Sequence, residues 1–381
     1  MKNICFAFVI LAGTLSGFCQ PFISLQPYLQ NPAPDGVTVM WRTTDPSYSW
    51  IEYGTDSTDL KVARTVEYGI VVSNITRHKV RIEGLVSNQK YYYRVCNRKV
   101  LSYEGYKKEY DRTEKTRFYT FSTLGPQGSD FTCIIFNDLH SNLPVFDLLC
   151  RQIKGIDPDF TVFNGDCFQD PSSEEHELDI LSHYNRVMNV SSRPAVYMRG
   201  NHEIRGTYAL GWPALVDWDN DKPYFAFSFG DTRFVFLDNG EDKNDGHVEY
   251  SNMNEFDEFR NKQTAWLINE VNKPVFRNAE RRILIQHIPI YSWTNSYDPG
   301  FIPCFDLWNP IYQKTPFDIN ITGHLHRFNF YPAGKAGNPF PLVVGGGNNE
   351  QSARVMILQK KNQELTLKVI DCRGKQEIFN L

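Results

Sequence analysis

The chain of 381 residues contains no block of five or six like charges, and its 40 Lys and Arg against 44 Asp and Glu leave a net charge of only −4. No positive field exists to recruit nucleic acid or an anionic membrane, so no nucleic-acid-binding patch is expected. Of the eight cysteines, Cys5 and Cys19 fall in the first twenty residues. The other six, Cys96, Cys133, Cys150, Cys167, Cys304 and Cys372, lack any C-x-x-C spacing, which excludes a disulfide scaffold and a zinc module. Beyond the N-terminus no run approaches the roughly 20 apolar residues of a transmembrane helix, and no repeat or low-complexity tract appears. What is present is a globular composition, 41% hydrophobic and 22% charged, long enough for two domains and a sizeable core.

The N-terminal stretch MKNICFAFVILAGTLSGFCQ has one lysine, an apolar segment from Ile4 to Leu15 and then small residues, the layout of a secretory signal peptide. Cleavage after Cys19 would start the mature chain at Gln20, so residues 1–19 are expected to be removed and the protein exported, to a periplasm or outside the cell. A lipid anchor on Cys19 is the lesser alternative, because bulky Phe18 stands where such signals carry a small residue.

From residue 20 to residue 124 short alternating runs (VTVMWRT, SWIEYG, HKVRIEGL, KYYYRV, RFYTFST) are separated by turn signals, which predicts an all-β sandwich. Trp41 and the segment GLVSNQKYYYRV resemble a fibronectin type III-like arrangement with its tyrosine corner. Residues 125–130 form a Gly- and Pro-containing linker. From 131 to 381 buried strands such as FTCIIFN and FTVFNG alternate with helical spacing in VFDLLCRQI, HELDILSHYNRVMNV and EFDEFRNKQTAWLINEV. These βαβ units predict an α/β domain.

Chemistry-bearing residues recur where the apolar strands of this second half end. IIFNDLH ends in Asp138 and His140, TVFNGD in Asp166, AVYMRGNHE in Asn201 and His202, ILIQH in His287, and INITGHLH in His324 and His326. Residues two apart in an extended backbone point the same way, so one position could hold both imidazoles of the last pair. Loops at the carboxyl ends of strands in an open α/β sheet converge on one crevice, which brings distant residues together. Carboxylate, imidazole and carboxamide suit hard or borderline metal ions, and no cysteine stands at these ends. Five of the nine histidines lie there; His78, His176, His183 and His247 are expected to be ordinary surface residues.

The ordered blocks Asp138 to His140, Gly165-Asp166, Gly200 to Glu203, His287 to Pro289 and Gly323 to His326 resemble the calcineurin-like metallophosphoesterase superfamily. The preceding sandwich, beginning PYLQN, resembles the purple acid phosphatase branch. The resemblance implies a four-layer α/β domain, two mixed sheets flanked by helices, holding two divalent or trivalent ions, with Fe, Mn or Zn as the expected identities. Asp138, His140 and His326 would hold the first ion and Asn201, His287 and His324 the second, with Asp166 bridging both. His202 would be the catalytic acid. Two positions depart from that branch: His140 itself, and Gln169, which stands where coloured enzymes place a tyrosine. Whether Gln169 or Asp170 supports His202 is open at this point. The implied activity is hydrolysis of a phosphate ester by water, with a monoester as the expected substrate and a diester as the alternative. A reading of another class is an inactive surface or glycan-binding protein. Tyr291, Trp293, Tyr297, Phe301, Asn239, Asp242 and His247 are candidates for the substrate loops.

Overall fold

A computed structural model describes residues 22–126, 128–291 and 302–381. The expected signal peptide, and Trp293, Tyr297 and Phe301, lie outside the described residues.

The N-terminal half is built around one long strand, Gly36–Asp56, whose two parts join different ladders. Residues 37–42 pair with Ile23–Ala33 and Ser73–Ile82, whereas residues 47–54 pair with Lys90–Glu104. The two ladders close on one core of Leu29, Val39, Trp41, Ile51, Val80, Tyr93, Val95 and Phe121. The tyrosine corner is present, with the Val86 N–H donating to the Tyr91 hydroxyl at 3.0 Å. His78 corrects the expectation of a surface residue. Strand alternation turns it inward with Val80 and Ile82, its ring stacks on Trp41 at 5.0 Å, and burial pushes its pKa down to about 4.

The second half contains two six-stranded sheets. In the first, Ala195–Met198, Phe160–Asn164 and Phe131–Phe136 run parallel, followed by the antiparallel strands Arg354–Lys361, Glu364–Asp371 and Gln376–Asn380. In the second, Thr232–Leu237, Arg281–Gln286, Ile319–Thr322 and Leu342–Val344 are parallel, with antiparallel strands at both edges. The period of two divides each central strand between two environments. Phe234, Phe236, Ile283 and Ile285 face the other sheet, while Val235, Leu237 and Leu284 face Leu267, Phe276, Trp308 and Tyr312 of the covering helices. Helices Leu143–Gln152 and Glu174–Val187 cover the first sheet, giving four layers.

The sandwich is joined to this domain by more than a hinge. Val37, Val39 and Trp41 face the sandwich core, but Leu25, Tyr28 and Met40 point the other way and enter the core of the α/β half. Tyr28 donates to the Leu215 carbonyl at 2.8 Å, the Leu29 N–H to the Val190 carbonyl at 3.0 Å, and Tyr93 to the Ser191 carbonyl at 2.7 Å. This double-sided burial is why GVTVMW reads as a continuous apolar run. Tyr28→Ala removes a buried ring and leaves a buried carbonyl unpaired, so it is expected to lower unfolding stability by about 3 kcal/mol or more. The urea midpoint should fall while metal content is unchanged; equal midpoints would show that this contact carries no stability.

Candidate metal centre

Parallel strands place their carboxyl ends at one edge, and there the backbone turns sharply. Asp138, His140, Asp166, His324 and His326 have φ between +47° and +70°, the left-handed region that non-glycine residues rarely adopt. Five such residues at one edge mark a strained site whose surroundings over-determine it. Gly165 and Gly200 make the close approach possible. A Cβ on Gly165 would stand 2.7 Å from the His287 ring, and one on Gly200 would stand 2.3 Å from Asp166 Oδ1. Across the sheets, Asn164 donates to the Gln286 carbonyl at 3.1 Å.

The structure brings together the seven expected metal ligands and His202. Ligand atoms of Asp138, His140, Asp166 and His326 lie within 4.8 Å of one another, as do those of Asp166, His287 and His324. Asp166 belongs to both groups. Asn201 Oδ1 stands 2.9 Å from His324 Nδ1, beside the second group. His287 Nδ1–H donates to the Asn164 carbonyl at 2.9 Å and His140 Nδ1–H to Gln169 Oε1 at 2.6 Å, so each keeps Nε2 for the centre. Asp138 Oδ2 is buried without a hydrogen-bond partner, as an atom waiting on a cation would be, and His287 Nε2 stands 3.0 Å from Asp166 Oδ2. Oxygen and imidazole donors without thiolate fit a pair of hard or borderline ions.

His202 donates its backbone N–H to Asp166 Oδ1 at 2.8 Å, and its Nδ1 meets Asp170 Oδ1 at 2.9 Å. Asp170 thus orients His202, while Gln169 serves His140 and donates from Nε2 to Asp170 Oδ2 at 2.6 Å. Sequence reasoning missed the role of Glu203. Its buried carboxylate accepts four backbone N–H groups, from Gly200 at 2.7 Å, Asp166 at 2.9 Å, Cys167 at 2.8 Å and Phe168 at 3.0 Å. Its place as the last residue of Gly-Asn-His-Glu was the one available signal. Of the substrate-loop candidates, Tyr291 and Asn239 are buried in packing roles, with Tyr291 donating to Asn309 at 2.7 Å and Asn239 accepting from the Ile288 N–H at 3.1 Å. His247 caps a short turn. Asp242 lies at the mouth, 3.7 Å from His324 Nε2.

Two buried carboxylates dominate the electrostatics. Burial pushes Asp138 up to about 8, with the nearby Asp166 charge adding to the rise. Burial also acts to raise Asp166, but the His287 charge and hydrogen bond outweigh it and hold Asp166 well below the carboxylate range. Burial would lower His287, yet Asp166 and Asp138 pull it up to about 10. Burial holds His140 down at about 4 and His324 at about 3, so both are neutral at physiological pH. At pH 7 Asp138 and His287 therefore carry protons that a cation must displace, whereas His140 and His324 carry none. Metal loading in weak buffer with a pH indicator should release protons at pH 7, the release shrinking towards pH 10. Apparent affinity should accordingly rise with pH, and proton uptake on loading would contradict the assignment.

Residues 131–328 match the Calcineurin-like phosphoesterase family, and residues 24–122 match the Purple acid Phosphatase, N-terminal domain. Among solved structures, purple acid phosphatase PPD1 from seeds of yellow lupin (Lupinus luteus) is similar, with a TM-score of 0.63 at 16% identity over 93% of this chain and 73% of that one. PhoD is similar with a TM-score of 0.62 at 12% identity, over 93% of this chain and 88% of its own. At these identities the likeness speaks for the fold. No curated protein sequence matches the chain. The first match spans just over half of the 381 residues and contains all the metal-type donors of the crevice, so the chain belongs to the calcineurin-like phosphoesterase family, as a metal-dependent phosphoesterase behind a purple acid phosphatase-type N-terminal domain.

Proposed function

We propose that this protein is an exported phosphomonoesterase, periplasmic or secreted, with residues 1–19 as its signal peptide, 20–124 as the sandwich, 125–130 as the linker and 131–381 as the catalytic domain. The observation that carries the enzymatic part is the double membership of Asp166 in two donor groups beside the His202–Asp170 pair. In this reading Asp138, His140 and His326 hold one ion, Asn201, His287 and His324 the other, and Asp166 both. Fe, Mn and Zn all suit this donor set. A pair of ions held there would supply neutralisation of phosphoryl charge and an activated water, so no protein nucleophile would be needed. The match of residues 24–122 to the purple acid phosphatase N-terminal domain supports the monoester as substrate. Export is supported by the N-terminal sequence. Among the described residues no helix is long and apolar enough to cross a membrane.

The chain's own residues orient the reaction. With Nδ1–H held by Asp170, the His202 ring presents Nε2 to the centre, 4.0 Å from Asp166 Oδ2. From there it can give a proton to the departing alcohol oxygen, and Asp170 stabilises the imidazolium that precedes this transfer. Glu203 fixes the loop that carries Asn201 and His202 relative to Asp166.

The decisive measurement is turnover of p-nitrophenyl phosphate against its bis ester, with Mn²⁺ or Zn²⁺ and with a metal-stripped control. Faster turnover of the bis ester would make the enzyme a diesterase. Asp166→Asn is expected to lose most metal and activity while the fold survives; His202→Ala should keep its metal and lose about 10²–10⁴ in kcat. Unchanged metal in the first or unchanged kinetics in the second would refute the assigned role. The iron-loaded protein should lack a visible tyrosinate-to-iron band, because Gln169 lies beside His140 and no tyrosine takes that place. A purple preparation would show a tyrosine ligand that this reading omits.

A further inference from the structure

Arg205 follows His202 by three residues, at the end of the short turn His202–Ile204. Its guanidinium has an uneven set of partners. Nε meets Glu241 Oε1 at 2.8 Å and Nη2 meets Glu241 Oε2 at 2.6 Å, with Asp242 Oδ1 at 3.3 Å. Glu241 is itself buried, accepts from the Tyr250 hydroxyl at 3.0 Å, and has its backbone carbonyl held by Arg260 at 2.9 Å. One edge of the guanidinium is therefore clamped by a buried, hydrogen-bonded carboxylate. The other edge, Nη1, reaches towards the centre and stands 3.4 Å from His202 Nε2, too long for a good N–H···N bond.

Asn201 sharpens the point. With Oδ1 turned to His324 Nδ1, as a metal ligand requires, its Nδ2 faces Arg205 Nη1 at 3.2 Å and Nη2 at 2.9 Å, donor against donor. Turned the other way, the amide oxygen accepts both contacts from Arg205, but none is left for a cation. In the metal-competent orientation, Asn201 Nδ2 and the free edge of Arg205 thus face each other, beside His202 Nε2, with no acceptor between the two donors. Converging donors of this kind, one of them a guanidinium, are satisfied by an anionic oxygen placed between them.

We propose that Arg205, clamped by Glu241, is a substrate-contacting residue whose Nη1 joins His202 Nε2 in holding an oxygen of the phosphoryl group, and that this extra cation favours the dianion of a monoester over the monoanion of a diester. The proposal rests on the phosphoesterase site described above and deepens it by naming what selects the substrate charge.

The test uses the full-length, metal-loaded protein, with inorganic phosphate as the probe. In Arg205→Ala the dissociation constant of phosphate, read by calorimetry, should rise roughly tenfold or more, while metal content stays at the wild-type level. The kcat/KM for p-nitrophenyl phosphate should fall in parallel, and that for the bis ester by less than about threefold if the loss follows substrate charge. Arg205→Lys, which keeps the charge but not the fork, should lie between. Unchanged phosphate affinity in the metal-replete variant overturns the contact. Equal losses on both esters overturn the charge selection, and loss of metal would show that Arg205 acts only by placing Asn201. Phosphate binding is read without turnover, so a wild-type protein that cleaves neither ester would sink the phosphomonoesterase assignment and still leave the Arg205 contact to be judged.

Discussion

The buried carboxylate of Glu203 is the constraint on which the rest of the site depends. Four backbone N–H groups from two separate strand-end loops point at its two oxygens. A buried N–H left without an acceptor costs on the order of 1–3 kcal/mol, so these four bonds leave the loops one mutual arrangement. That arrangement sets Asp166 against Asn201 and His202, and thereby both donor groups and the catalytic acid. Burial and the Asp166 charge push Glu203 up to about 7, yet four donors favour its ionised form. Once Asp138 gives up its proton, the negative charge gathered on Asp138, Asp166 and Glu203 in so small a volume is what cations at the centre would balance.

Such an arrangement strains the backbone that carries it. The left-handed residues at the ligand edge are tolerated because strands from both sheets end there and are cross-linked. Asn164 spans them, giving its carbonyl to His287 and its amide to Asn137 at 2.8 Å and to the Gln286 carbonyl. The glycines of the ligand loops leave no room for a side chain, so ligand spacing is set by backbone contact. A site built this way is organised before substrate arrives, which is where a preorganised electrostatic environment is worth most.

The front domain belongs to this structure more closely than a tether would. Leu25, Tyr28 and Met40 complete a core that begins at the metal-bearing sheet. Ion pairs at the rim, such as that of half-exposed Lys79 with Asp217 at 3.1 Å, add little by comparison. The sandwich therefore stabilises the α/β half without supplying any donor of the metal centre.

Much of this was legible in the amino-acid sequence because local chemistry decided it. Strand alternation, helical spacing and the turn after each apolar run put Asp138, Asp166, Asn201, His287, His324 and His326 at strand ends. Parallel topology makes such ends converge whatever the details of packing. The sandwich followed from the same periodicity and from Trp41 and the clustered tyrosines of GLVSNQKYYYRV. Other features were decided only in three dimensions, because they depend on which atoms meet across long separations. Asp170 is the acceptor for His202 Nδ1–H, while Gln169 gives its oxygen to His140 and reaches His202 only with an amide nitrogen, at 3.2 Å. His78 is buried because the strand beside it places a tryptophan over its ring. Glu241 meets Arg205 from 36 residues away, and no periodicity encodes that pairing. The sequence by itself determined the ligand types and their order along the chain. The tertiary structure alone decided which hydrogen bonds orient them, because hydrogen-bond geometry is a property of position and not of spacing.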